Sequence, residues 1–161
     1  MSLAELFGVS LFHSGSNYTN AINTLFSRFR SQWILQSPSI VGYVPDIQWQ
    51  GVEKDAPPPN DEFFVRVSNK TIDERPTTLR GANGTRYETV GNLTCELYCP
   101  KTENGITKGR ELATLARDIF KGKRLSEVVS IIKTEVKEID NAREKEYLFL
   151  TITRYTYFEI T

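Results

Sequence analysis

A strand, a tight turn and an amphipathic helix follow one another without interruption between Arg86 and Gly122, and this stretch constrains the fold more than any other. Leu93, Cys95, Leu97 and Cys99 alternate with Thr94, Glu96 and Tyr98, the period of two that a half-buried strand requires. Pro100 closes the strand, because a residue without a backbone N–H cannot extend a ladder, and Asn104-Gly105 supplies turn chemistry. Beyond the turn, Leu112, Ala113, Ala116, Ile119 and Phe120 recur at spacings of three and four, forming an apolar helical stripe that Gly122 is expected to stop.

The flanking segments extend this unit on both sides. Tyr18, Ile22, Leu25, Phe26, Phe29 and Trp33 have helical spacing, so a first core-facing helix is expected from Asn17 to about Gln36, ended by Ser37-Pro38. Tyr43 to Trp49 reads as extended, and Pro57–Pro59 as part of a stiff polar connector. Phe63 to Val67 is a short strand whose natural partner is the long strand beginning near Arg86. After the second helix, Val128 to Ile139 is β-rich and Asp140-Asn141 marks a turn. The closing strand, Glu146 to Thr161, carries Tyr147, Phe149, Tyr155 and Tyr157 on one face and Leu148, Leu150, Ile152 and Phe158 on the other. With both faces apolar, it belongs in the middle of a sheet or has one face covered by a neighbouring chain, which makes Tyr155 and Tyr157 candidate interaction residues. The expected fold class is α+β: a mainly antiparallel mixed sheet with two helices packed on one face.

A chain of 161 residues suits one domain, here 1–161, with residues 1–16 as an N-terminal arm. Lys plus Arg and Asp plus Glu are 20 each, so the broad electrostatic footprint of a general nucleic-acid binder is missing and only a local basic patch remains open. No apolar run approaches the length of a membrane span and no secretory pattern leads the chain, so a soluble, non-secreted protein with no membrane partner is expected. Cys95 and Cys99, four apart on one strand, have Cα atoms about 13 Å apart, too far for a disulfide; two free core thiols are expected. With one histidine, His13, and no second cysteine pair, neither a metal site nor a nucleophile-and-base pair is expected. No phosphate-cradling glycine motif or nucleophile elbow occurs, so no catalytic or cofactor-binding residues are assigned.

One segment resists a secondary-structure reading. Ser68 to Thr85 contains Gly81, Asn83 and Gly84 and few large apolar residues, and is expected to be a long, mobile loop. Lys70, Arg75, Arg80 and Arg86 make it locally basic, although Asp73 and Glu74 dilute the charge. These four cations are the remaining candidate interaction residues.

Taken together, the first helix, the Trp49 strand, Phe63–Val67, a loop with glycine and arginine, and Arg86-Tyr-Glu leading into the strand that ends at Pro100 resemble the tail terminator (tail completion) proteins of long-tailed bacteriophages. The Gly105 turn, the helix ending Ile119-Phe120-Lys121-Gly122 and two closing strands continue the resemblance, which covers roughly Asn17 to Thr161. It implies a structural virion protein of a phage or prophage that caps the tail tube as a hexameric ring, stops tube polymerisation and offers the head-joining surface. The implied partners are other copies of the chain, the tail tube protein and the head-neck connector protein, with DNA passing through the channel without specific binding. The implied location is the virion tail, assembled in the bacterial host cytoplasm. The alternatives are another head-tail joining or neck component, and a small α+β enzyme.

Overall fold

The computed structural model describes residues 17–52, 61–77, 84–127, 129–143 and 146–160. The arm before Asn17, the Pro57–Pro59 connector and Arg80 lie outside the described residues. Helix α1 runs Asn17–Gln36 and gives way at Ser37 to a single helical turn, α2, Pro38–Val41. Strands β1 (Asp46–Trp49), β2 (Phe64–Pro76) and β3 (Arg86–Pro100) follow, then helix α3 (Gly105–Asp118) and strands β4 (Val129–Arg143) and β5 (Glu146–Ile160). The five strands form one sheet in the order β1-β2-β3-β5-β4, parallel between β1 and β2 and antiparallel elsewhere. This is the expected α+β mixed sheet, and β2 pairs with β3 as its sequence suggested.

Both long helices cover the same face. On α1 the buried residues Ala21, Leu25, Phe26, Phe29 and Trp33 form one stripe, and Phe26 and Phe29 pack on Trp49 of β1 at ring distances of 5.2 and 6.3 Å. Trp33 is fully buried, so its indole N–H needs a partner and finds the Pro45 carbonyl at 3.1 Å. On α3 the buried stripe is Leu112, Ala113, Leu115 and Ala116, continued by Ile119 and Phe120. The Thr151 hydroxyl of β5 donates to the Ala113 carbonyl at 3.3 Å, and the Arg28 guanidinium joins α1 to the end of α3 through the Ile119 carbonyl at 3.1 Å. Gly109 makes the close approach possible: a Cβ there would lie 2.6 Å from Cys99 Sγ and 2.8 Å from the Phe149 ring. The helix ends earlier than its glycine suggested, at Asp118, while Gly122 takes a left-handed conformation (φ 67°) in the turn beyond.

The expected loop over Ser68–Thr85 is corrected by the structure, since β2 continues as strand to Pro76. Its register against β3 runs from Phe64–Tyr98 to Pro76–Tyr87, interrupted by one bulge at Ile72. A strand at a sheet's edge with both sides wet needs no hydrophobic alternation. The ladder to a 15-residue partner satisfies its backbone whatever its side chains are. Of the expected loop, Thr77, Gly84 and Thr85 are described outside strands and 78–83 lie outside the described residues.

Candidate interaction surface

Alternation on β5 sends Phe149, Thr151, Thr153, Tyr155 and Tyr157 under the helices, where all are buried, and sends Leu148, Leu150, Ile152, Arg154 and Phe158 to the opposite face. Tyr155 and Tyr157 are therefore corrected from interface residues to core residues. Tyr155 is fully buried and lies across Gly91 of β3, where a Cβ would meet its hydroxyl at 2.5 Å. It thereby reaches β2, donating its hydrogen bond to Asn69 Oδ1. Tyr157 stacks beside it at 6.3 Å and meets Tyr18 of α1 at 6.2 Å. Burial raises the pKa of both phenols. It also pushes the Cys99 thiol up to about 12 and raises that of Cys95, so these two free cysteines are inert at neutral pH.

Among the described residues no helix covers the other face, and the cross-strand register divides it into bands. At the Pro100 end, Phe64 and Tyr98 stack at 4.6 Å and Leu148 and Ile139 continue the same row, with Leu150 and Ile152 beside them on β5. Phe64 and Tyr98 are buried by their contact, Leu148, Leu150 and Ile152 are partly exposed, and Ile139 is exposed. Farther along the strands, Lys70, Asn92, Arg154 and Lys133 are paired directly across β2, β3, β5 and β4 and form one row of three cations around an amide. Arg75 and Arg86 lie on this face at its far end. Arg75 pairs with Glu88 at 3.2 Å, and the Arg86 guanidinium sits 3.8 Å over the Phe158 ring. Arg66 lies nearer the apolar band, 3.7 Å from Glu96 and 5.5 Å over Tyr98.

Three of the four candidate cations, Lys70, Arg75 and Arg86, are thus brought to one face of the sheet, and Arg80 lies outside the described residues. Sequence reasoning missed Arg154 and Lys133, which join Lys70 only through a register spanning four strands. The available signal was that Arg154 is the one charged residue between Leu148 and Phe158 on its largely apolar face of the strand.

The two edges of the sheet differ. β1 pairs only with Phe64 to Val67, leaving the rest of β2 at an edge, and β4 forms the other. Each edge carries a bulge whose extra residue is an exposed isoleucine, Ile72 (47% exposed) and Ile132 (55%). On the helical side an open groove between α1, α2 and α3 is lined by the apolar Leu35, Ile40 and Leu115 together with Ser39, Thr114, Glu111 and Asp118. Among the described residues no three His, Cys, Asp or Glu side chains converge as metal ligands would, and no helix is long and apolar enough to cross a membrane.

Solved structures share this architecture. One, bearing no functional name, superposes with a TM-score of 0.57 at 11% identity, over 84% of this chain and 94% of that chain. Another, described as the virion of a native gene transfer agent particle, has a TM-score of 0.50 at 13% identity, over 93% of this chain and all of that chain. At such identities the likeness is one of fold. No protein-family model matches the chain, and no curated protein is significantly similar to it.

Proposed function

We propose that this protein is a tail terminator of a long-tailed phage or phage-like particle: a structural, non-catalytic subunit that closes a hexameric ring on the tail tube, ends polymerisation and receives the head. The observation that carries this reading is the shared fold with a chain from a gene transfer agent virion, which spans that chain completely. The surface supports it. Cyclic closure requires two different complementary patches on each subunit, and the two sheet edges, marked by Ile72 and Ile132, are two distinct surfaces available for that role. The partly exposed band of Leu148, Leu150 and Ile152 offers further area to a neighbour or to the tube protein. The reading carries with it a place in the tail, assembly in the host cytoplasm, contact with a head-neck connector, and DNA passing through the ring.

The test is to delete the gene in the producing phage or prophage and measure tail lengths by electron microscopy. Tubes far beyond normal length are expected. Tubes of normal length that lack heads would overturn the reading in favour of a joining component of the neck.

A further inference from the structure

We infer that the uncovered face of the sheet contacts the phosphate backbone of double-stranded DNA through the row Lys70–Asn92–Arg154–Lys133. The inference stands on the register and chemistry of this face and does not depend on the tail reading. The three cations come from three strands and are held in line by direct cross-strand pairing, so their spacing is set by the sheet. Three strand intervals span about 14 Å. Among the described residues neither Lys70 nor Arg154 has a carboxylate partner. Arg154 meets only the Asn92 amide oxygen, at 3.5 Å, and that contact leaves the amide N–H₂ as a further donor. Lys133 shares the Glu135 carboxylate with Lys137, at 3.6 and 3.9 Å, so one negative charge there faces two positive ones.

The groups bordering the row are mixed, and hydroxyls are the commonest among them. The row beside it on one side is Ser68, Thr94, Ile152 and Glu135, and on the other Asp73, Val90, Thr156 and Ser130; of these Ser68, Thr94 and Ser130 are partly exposed hydroxyls able to donate to phosphate oxygens, and Thr156 is buried. Most of the apolar groups that would seat a protein, Phe64, Tyr98, Leu148, Leu150 and Ile139, lie toward the Pro100 end of the face. A single strand is disfavoured because it needs exposed aromatic platforms for unstacked bases. Here Phe64 and Tyr98 stack on each other and are buried, while the Phe158 ring is capped by Arg86. A duplex needs only the cations and donors. Three phosphate contacts make the interaction weak and sequence-independent, with a slope of log affinity on log salt of about −2.7.

The experiment is fluorescence anisotropy of a labelled random-sequence 20-base-pair duplex with the full chain at 50 and 200 mM KCl. Affinity is expected to fall about forty-fold between those salts. In K70Q/K133Q/R154Q, affinity at 50 mM should drop more than ten-fold and most of the salt slope should vanish. K121Q/K123Q, on the turn after α3, should bind as the parent does. Circular dichroism and thermal melts show whether the triple variant keeps its fold; the single variant R154Q, expected to lose a few-fold in affinity, gives a second readout if it does not. No binding at 50 mM, an unchanged slope in the folded triple variant, or equal affinity for single-stranded DNA or polyglutamate would overturn the assignment. Tail length in the deletion experiment is untouched by any of these results, so the two readings fail separately.

Discussion

The two faces of this sheet are built from the same strands and have opposite characters. Under the helices, residues such as Phe149 and Tyr155 are fully excluded from water, and two glycines remove side chains where elements come closest. On the other face, apolar residues of the same strand, Leu148, Leu150 and Ile152, are only partly exposed and alternate in space with ion pairs. The lesson is that apolar composition does not mark a core. A core also needs a second layer, and residues small enough to let that layer approach.

The largest effect that would sharpen this contrast is expected from Phe149→Ala. Truncating a fully buried ring beneath α3 should cost about 3–5 kcal/mol in urea unfolding, against less than about 1.5 kcal/mol for Leu150→Ala on the next residue. Equal costs would break the comparison and mean that the outer face is covered in the isolated chain. Gly109→Ala comes next. Its methyl would press on Cys99 and Phe149, so a loss of about 1–3 kcal/mol is expected, partly recovered in a Cys99→Ala background.

Alkaline pH probes the buried thiols. Cys99 rises from 9.0 to about 12 on folding, so its contribution is intact below pH 9 and is lost progressively as pH rises toward 12. From Cys99 alone stability should fall by up to about 1.4 kcal/mol per pH unit in that window, and Cys95, raised by the same burial, adds to the slope. Cys99→Ala should flatten the slope; an identical slope in the variant would place the titration elsewhere. The smallest effects belong to the outer face and the edges. Arg75→Glu should change stability by less than about 1 kcal/mol, since its pair with Glu88 is a surface one. Ile132→Asp should leave stability within about 0.5 kcal/mol while suppressing self-association in sedimentation experiments. Unimpaired association would remove that edge from the proposed subunit interface.

The helices, the long central strand and its pairing with β2 were legible in the sequence because apolar periodicity recorded them. Two features were not. Ser68 to Pro76 carries no periodicity, since its strand is held by a partner's backbone rather than by a buried face. On β5 both faces are apolar, so alternation alone could not say whether Tyr155 or Leu150 meets the helices. Gly91, a glycine inside a strand pattern, was the overlooked clue: it signals close approach, and the group that approaches is Tyr155. The cation row was illegible for a different reason. Its members are scattered along the sequence, and only the register of three strand pairs aligns them.

The isoleucine bulges bear on how copies of this chain can meet. A long bare strand edge invites indefinite accretion, each copy templating the next through its own amides. Ile72 and Ile132 throw the backbone out of step by one residue midway along both margins, so a second margin laid alongside would fall out of phase. Copies can then meet there only through protruding side chains, which grip weakly one at a time. On the proposed ring reading, self-association should therefore grow with concentration and be strongest where a template holds several copies at once.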